Sequence, residues 1–224
     1  MSLFITGTGT GVGKTVVTAV IAAWFQSQGK SVCVYKPIQT GSPDASKPED
    51  PASIQSWLGQ AVATYCSYCF ADPVAPYAAD PERTIQTGKM LQDFKNLQKQ
   101  YDIVLVEGAG GVRVPVAPYL EMIDLIRMFQ LPVVVVAHPQ LGTINHTLLT
   151  VDALLAQRLE VKGVVISDYP GTAEVQRDPA IQSLFSTLEP FLPVPVLGTL
   201  PHIELTLEGF QEASAQLSHW KLLE

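Results

Sequence analysis

The chain has few charged residues, no basic cluster and no long apolar run, and each scarcity argues against a class of protein. Charged residues make up 16% of its 224 residues and the net charge is −7, which argues against nucleic acid as a partner. No apolar stretch approaches the roughly 20 residues of a membrane span. The first apolar run begins within two residues of the N-terminus, which leaves no room for a signal peptide. We therefore expect a cytoplasmic protein that contacts neither nucleic acid nor a membrane.

Cysteine is also scarce, because the chain has only three, too few for a disulfide framework. Cys66 and Cys69 have the C-x-x-C spacing of some zinc and redox sites. A zinc site needs four ligands, and the sequence has no second Cys or His pair at ligand spacing. We interpret the cysteines as packing residues.

Short apolar runs rich in Val and Ile alternate with helical patterns along the chain. Most of the runs lack polar alternation, as expected for strands that are buried on both faces of a parallel sheet. The runs cover residues 3–5, 32–35, 103–106, 133–137, 161–166 and 194–197. The sequence thus predicts a single α/β domain over residues 1–224, a doubly wound and mostly parallel sheet with helices on both faces.

Three segments between the runs have helical features. Met90, Leu91, Phe94, Leu97 and Tyr101 share one helical face, and so do Ile144, Leu148, Val151 and Leu155. Residues 41–52 are acidic and rich in proline, which predicts a surface loop. A short helix is expected over residues 51–58, with Asp50 as its N-cap.

The run from Gly7 to Thr15, GTGTGVGKT, separates the first apolar run from a helical pattern. This is the order of a phosphate-binding loop, in which glycines let backbone N–H groups converge on an anion at a helix N-terminus. Lys14 would reach the outer phosphates and Thr15 would hold Mg²⁺. The usual motif has four residues between its first glycine and Gly-Lys-Thr, whereas Gly7 leaves five and Gly9 leaves three. The alternative is a glycine turn with a chance Lys-Thr pair.

Two further charged residues are expected to end apolar strands, at the sheet edge where doubly wound proteins bind ligands. Glu107 occupies the place where nucleotide hydrolases carry a metal-binding acid. Lys36 could stabilise negative charge on a carboxylate or on a transferring phosphoryl group. A solvated strand-end carboxylate and a solvent-pointing lysine are the alternative interpretations.

These residues resemble those of the dethiobiotin synthetase family, ATP-dependent carboxylases of biotin biosynthesis. The resemblance spans nearly the whole chain, and the five-residue loop spacing is the family's own. It rests on Thr6 to Thr15 (T-G-T-x-T-x-V-G-K-T), Lys36-Pro37 with Thr40-Gly41, Val106 to Gly111, Leu141 to His146, and Gly198 to Pro201. It implies a P-loop NTPase-like fold. It also implies that one amine of 7,8-diaminononanoate takes up CO₂ as a carbamate, which attacks the ATP γ-phosphate. The second amine then closes the ureido ring and releases phosphate.

The resemblance also assigns roles to individual residues. Lys36, Lys14 and Thr10 are expected to be catalytic, and Thr15, Asp50 and Glu107 to bind Mg²⁺. Asp44 and Glu49 share the loop with Asp50, which we prefer because residues 51–55 best match the helix after the family's aspartate. Expected nucleotide contacts are Gly11, Val12, Gly13, Lys14, Thr15, Val16, Asp50, Glu107, Gly108, Ala109, Gly110, Ser167, Asp168, Pro201, His202 and Ile203.

The diamine would contact Thr40, together with Gly142, Thr143 and Asn145 at a helix start. In the family this helix start receives the substrate carboxylate across a dimer interface, which implies a homodimer. An ordinary helix start capped by Thr143 or Asn145 is the alternative. Ser167 departs from the family's common asparagine. A hydroxyl has one oxygen and cannot supply the separate donor and acceptor atoms that an amide offers adenine. We therefore expect weaker base discrimination, or discrimination by backbone groups near residues 200–203.

Two other enzyme functions and a binding module without activity are the alternatives. The presence of Lys36 and Glu107 argues against the inactive module. A partition or septum-positioning ATPase carries a second lysine early in the loop, but residues 8–12 contain none. Such proteins also tend to have basic or amphipathic surfaces. A cobyrinic acid amide synthetase predicts an attached glutaminase domain with a Cys nucleophile, for which 224 residues leave no room.

Overall fold

A parallel β-sheet forms the centre of the protein, as seen in a computed structural model that describes residues 2–168 and 186–219. The strands in these residues are β1 (Ser2–Gly7), β2 (Val32–Gln39), β3 (Val62–Cys69), β4 (Ile103–Gly111), β5 (Pro115–Ala117), β6 (Leu120–Glu121), β7 (Val133–Ala137), β8 (Val161–Ser167) and β9 (Val196–Leu200). The order across the sheet is β3-β2-β4-β1-β7-β8-β9, with every pair parallel. Strands β5 and β6 form a separate antiparallel pair.

Helices connect the strands. They are α1 (Lys14–Ser27), α2 (Glu49–Leu58), α3 (Pro76–Ala79), α4 (Thr87–Gln98), α5 (Met122–Phe129), α6 (Thr143–Ala156) and α7 (Leu207–Ala215), with 3₁₀ turns at Gly59–Ala61, Glu189–Phe191 and Gln216–His219. In the described part of the chain, none of the helices combines the length and the apolar character that crossing a bilayer requires.

Both faces of the sheet are covered by helices. Strand β1 illustrates this, because Leu3 and Ile5 pack into one apolar cluster with α1, α2 and α7, whereas Phe4 packs into the other with α4, α5 and α6. All three side chains are fully buried. The predicted doubly wound α/β fold with helices on both faces is therefore confirmed.

Strands β2 and β4 are longer than the apolar pattern predicts. The expectation that Lys36 and Glu107 end their strands is wrong, because β2 continues to Gln39 and β4 to Gly111. Pairing with neighbouring strands extends them, since Gln39 lies opposite Cys69 on β3 and Gly111 opposite Gly7 on β1. Strand β3 was not predicted at all. It forms one edge of the sheet, and most of its residues are half-buried.

Helix boundaries differ from the predictions at two places. Helix α2 begins at Glu49, so the prediction of Asp50 as N-cap is wrong and Asp50 lies in the first turn. Helix α4 ends at Gln98, before Tyr101. The predicted helix start after Gly142 is confirmed, and Gly142 adopts the left-handed φ of 93° at its N-cap.

Candidate active site

The carboxyl-terminal ends of β2, β4 and β1 enclose a cavity of about 420 Å³. These strands are adjacent in the sheet, so the residues that follow them meet at one edge. The cavity is lined by Thr10, Gly11, Gly13, Lys14, Thr15, Val16, Lys36, Gln39, Thr40, Glu49, Asp50, Ser53, Trp57, Glu107, Ala109 and Gly110. The structure thus brings together most of the residues predicted to act on the phosphates and the metal, and it adds Thr40 from those predicted to contact the diamine. Val12 and Gly108 are not among the lining residues.

The glycine loop owes its shape to specific backbone angles. Gly11 and Gly13 have φ values of 74° and 91°, which glycine adopts without a steric penalty. A Cβ atom at Gly7 would lie 2.7 Å from Val12 Cγ2, so the loop requires a glycine at this position. Helix α1 begins at Lys14, whose Nζ folds back and donates a hydrogen bond of 2.7 Å to the Gly9 carbonyl.

Lys36, Asp50 and Glu107 form a buried group that we call the ion cluster. The Lys36 ammonium lies 2.7 Å from Glu107 Oε1 and 2.5 Å from Asp50 Oδ2, and it also donates to the Gly108 carbonyl at 3.1 Å. The Thr15 hydroxyl donates to the same Glu107 oxygen at 3.0 Å. The Lys36 and Glu107 side chains are 4% and 1% exposed, whereas that of Asp50 is 30% exposed. The two strand residues of the cluster are therefore closed to solvent, whereas Asp50 on α2 is partly open to it.

The charges of the ion cluster depend on one another. Burial alone would lower the pKa of Lys36, but Glu107 and Asp50 raise it above its ordinary value. Burial opposes ionisation of Asp50, yet the Lys36 charge lowers the pKa of this carboxyl below its usual range. Burial raises the pKa of Glu107, while Lys36 acts in the opposite direction. Lys36 is thus held as an ammonium ion.

Lys14 is in the opposite situation, although it lines the same cavity. Burial, followed by repulsion from the Lys36 ammonium, lowers its pKa from 10.5 to about 8. Glu107 and Asp50 act in the opposite direction but offset only part of this effect. A negatively charged ligand in the glycine loop would restore the ammonium form of Lys14.

A second cavity of about 420 Å³ opens beyond the end of β9. Its lining includes three of the predicted nucleotide contacts, Pro201, His202 and Ile203, together with first-turn residues of α7. Ser167 and Asp168 lie beside it in the fold, since Ser167 pairs with Leu200 and the Asp168 N–H donates to the Leu200 carbonyl at 2.8 Å. The Ser167 hydroxyl is buried and has no hydrogen-bond partner among the described residues.

The predicted diamine contacts are divided between two places. Thr40 lines the first cavity, but Gly142, Thr143 and Asn145 follow β7 and line neither cavity. Gly142 and Asn145 are exposed, whereas Thr143 is 4% exposed. No side chain caps the start of α6, so the alternative of a cap from Thr143 or Asn145 is wrong.

Four cavity residues were not predicted to belong to the site. Glu49 was weighed only as an alternative to Asp50, and Gln39, Ser53 and Trp57 were not considered. Asp44 does not line the cavity and accepts hydrogen bonds from Ser46. The placement of Gln39 could have been suspected from its position between Lys36 and Thr40, whereas that of Trp57 depends on how α2 packs.

Solved structures with the same fold belong to proteins of distant sequence. The MinC:MinD cell division protein complex of Aquifex aeolicus matches with a TM-score of 0.63 at 14% identity, over 95% of this chain and 86% of that chain. The cell division ATPase MinD of Pyrococcus furiosus matches with a TM-score of 0.60 at 17% identity, over 97% and 96%. At these identities the likeness is one of fold, and it confirms the predicted P-loop NTPase-like architecture.

Sequence relatives are much closer. A family profile described as an AAA domain matches residues 1–208. An ATP-dependent dethiobiotin synthetase of Bacillus cereus is 39% identical over 95% of this chain and 89% of the relative. That of Bacillus velezensis is 33% identical over 91% and 87%. The loop spacing, the ion cluster and this identity along nearly the full length agree, and the chain belongs to the dethiobiotin synthetase family.

Proposed function

We propose that the chain catalyses the ATP-dependent conversion of 7,8-diaminononanoate and CO₂ to dethiobiotin, with release of ADP and phosphate. The observation that carries the proposal is one cavity lined by a phosphate-binding loop, by two lysines and by three carboxylates. Phosphoryl transfer demands positioning and charge neutralisation more than a covalent nucleophile, and this lining supplies both. The proposed site of action is the cytoplasm, where ATP is available.

ATP would extend along the edge of the sheet between the two cavities. The glycine loop follows β1, and the second cavity follows β9, three strands away in the sheet order. Since neighbouring strands lie about 4.8 Å apart, the distance suits a triphosphate in the first cavity and a base near Pro201 to Ile203. Lys14 would exchange the Gly9 carbonyl for a phosphate oxygen.

The residues around Glu107 fit a magnesium ion. Thr15, Asp50 and Glu107 offer hard oxygen donors, the kind that Mg²⁺ prefers, and Glu107 Oε2 is buried without a hydrogen-bond partner among the described residues. The same part of the chain holds no group of three or more His, Cys, Asp or Glu that could bind a metal. Mg²⁺ usually keeps several waters and takes further ligands from substrate phosphates. Bound with ATP, the ion would neutralise charge on the phosphates.

Lys36 would act on the reacting groups. In the proposed reaction an amine nitrogen of the substrate bonds to CO₂ and loses a proton, and a carbamate oxygen then attacks the γ-phosphorus as the bond to ADP breaks. The second amine attacks the carbonyl carbon, and phosphate leaves. The Lys36 ammonium, held at the cavity wall by Glu107, would stabilise negative charge on the carbamate and on the leaving phosphate. Thr10 and Thr40, which also line the cavity, would orient the substrate.

We further propose a homodimer in which each site is completed by its partner. Gly142, Thr143 and Asn145 lie outside both cavities of their own chain, although the family resemblance assigns them to the substrate. A helix N-terminus suits a carboxylate, and the start of α6 is exposed at Gly142 and Asn145. A second copy of the chain could present this helix start to the first cavity.

The test of the function is product formation by the purified protein. ATP, Mg²⁺, bicarbonate and diaminononanoate should together give phosphate release, and mass spectrometry should detect dethiobiotin in equal amount. Omission of the diamine should abolish the release. ATP hydrolysis that needs no diamine and is stimulated by DNA or by lipid vesicles would contradict the proposal and favour a partition or septum-positioning ATPase.

A further inference from the structure

Helix α2, which carries Asp50 in its first turn, begins without a capping side chain of its own. Pro48 occupies the N-cap position, and no side chain at this residue accepts a hydrogen bond. The first N–H groups of a helix have no partner within the helix. The N–H groups of Glu49 and Asp50 must therefore find acceptors elsewhere, and the position of Asp50 depends on what those acceptors are.

Two side chains from the segment after Lys36 supply these acceptors. The Glu49 N–H donates to Ser42 Oγ at 2.8 Å, and the Asp50 N–H donates to Gln39 Oε1 at 3.3 Å. Ser42 and Gln39 are 1% and 5% exposed, so water does not compete for these bonds. Such bonds join the first turn of α2 to the end of β2.

The acceptors are themselves held in place. Gln39 is the last residue of β2 and pairs with Cys69, and its Nε2 donates to the Thr40 carbonyl at 2.8 Å. This second bond fixes the amide so that Oε1 faces α2. The Ser42 N–H donates to the Phe70 carbonyl at 3.1 Å, beyond the end of β3. Both acceptor side chains therefore belong to residues that backbone pairing fixes to β3 and to the residue after it, at the edge of the sheet.

We propose that Gln39 and Ser42 are positioning residues that hold Asp50 in the ion cluster and so set the affinity of the site for Mg²⁺. The inference rests on the proposed function, in which Asp50 is a metal ligand. Outer partners of metal ligands typically change metal affinity by about 10–100-fold. We expect the lower end of that range, because each side chain acts through a backbone N–H of α2 and the Gln39 bond is long.

The experiment compares the Mg²⁺ dependence of matched variants. Ser42→Ala and Gln39→Leu should each raise the Mg²⁺ concentration that gives half-maximal diamine-dependent phosphate release by about tenfold. ADP affinity in EDTA, measured by calorimetry, should stay at the wild-type value, which a general loss of structure would not allow. Ser42→Thr keeps the hydroxyl acceptor and should restore the wild-type Mg²⁺ requirement.

Two further variants make each outcome decisive. Ser46→Ala removes a hydroxyl of the same loop that binds the exposed Asp44 rather than α2, and it should behave as wild type. Asp50→Asn should raise the Mg²⁺ requirement more than either positioning variant. If Asp50→Asn does so but Ser42→Ala and Gln39→Leu do not, the inference is overturned. An unchanged Mg²⁺ requirement in Asp50→Asn would instead remove Asp50 from the metal site of the proposed function.

Discussion

The two lysines of the first cavity have different surroundings. Their replacement should therefore impair different steps, turnover for Lys36 and nucleotide binding for Lys14. Lys36 contacts two carboxylates and is fixed at the cavity wall. Lys14 contacts a backbone carbonyl, a neutral acceptor that a phosphate can replace. Lys36 is thus built into the site, whereas Lys14 is available to an incoming nucleotide.

Replacement of Lys36 should separate binding from turnover. Lys36→Ala removes the charge that acts on the carbamate, so diamine-dependent phosphate release should fall by about 100-fold or more. ADP affinity should change little, because Lys14 and the glycine loop provide the phosphate contacts. Calorimetry with ADP measures the affinity, and a phosphate-release assay measures the turnover. Lys14→Ala should instead weaken nucleotide binding itself. Normal turnover by Lys36→Ala would show that this lysine has no catalytic role.

The lowered pKa of Lys14 predicts a pH dependence of nucleotide binding. The Lys14 ammonium is present below its pKa of about 8 and is lost as the pH rises above it. A bound phosphate favours the charged form, so binding above this pH must take up a proton. The affinity for ADP should then fall, by at most about tenfold per pH unit.

This dependence can be measured by calorimetry in two buffers of different ionisation enthalpy. Proton uptake on ADP binding should appear between about pH 7 and about pH 9.5, and Lys14→Met should abolish it while weakening binding. An ADP affinity that stays constant over this interval in the wild-type protein would show that Lys14 is charged throughout.

At the level of secondary structure, the sequence predicts the buried elements better than the half-buried ones. Strand β7 matches its apolar run of residues 133–137 fully, because all five residues are buried and apolar. Strand β3 was missed because it lies at the sheet edge and carries polar residues such as Thr64 and Ser67. An edge strand is defined by its pairing with β2, which no local pattern contains.

The same distinction applies to the candidate site, where residues in local motifs can be predicted and residues placed by packing cannot. The glycine loop, Lys36 and Glu107 could be found because each follows an apolar run in the sequence. The contact of Asp50 with Lys36 could not, since it depends on where α2 packs against the sheet. Gln39 is a similar case, because its bond joins it to Asp50, eleven positions further along the chain and beyond an irregular segment.

The packing of α2 against α7 can be tested at Phe210. The rings of Phe210 and Trp57 stack at a centroid distance of 5.2 Å and an angle of 22°, and Phe210 is fully buried. Phe210→Ala leaves a cavity between these helices and should lower the free energy of unfolding by about 3–5 kcal/mol.

Urea denaturation followed by tryptophan fluorescence measures this effect. The control is Phe191→Ala, because Phe191 is 68% exposed and its loss should change stability by less than about 0.5 kcal/mol. Equal effects of the two substitutions would show that the stacked pair does not stabilise the protein.

At the scale of the whole molecule, one face of α6 is exposed beside the start of the helix. Gly142, Asn145 and Leu149 are three and four residues apart, so they lie on one face of the helix, and all three are exposed. Leu149 is 60% exposed, and Leu141 just before the helix is fully exposed. Two exposed leucines beside a proposed substrate contact suit an interface with a second copy of the chain.

A charge placed on this face should break the proposed dimer and reduce activity together. Leu149→Asp would bury an unpaired carboxylate at the interface, which is strongly unfavourable, so sedimentation should show a shift from dimer to monomer. Diamine-dependent phosphate release should fall because the partner's helix start is lost, while ADP affinity, which depends on the glycine loop of the same chain, should persist. Phe191→Asp places the same charge on an exposed aromatic residue outside α6 and should leave both the dimer and the activity intact. If Leu149→Asp remained dimeric and fully active, this face of α6 would lie outside the interface, and the helix start would have no route to a neighbouring cavity.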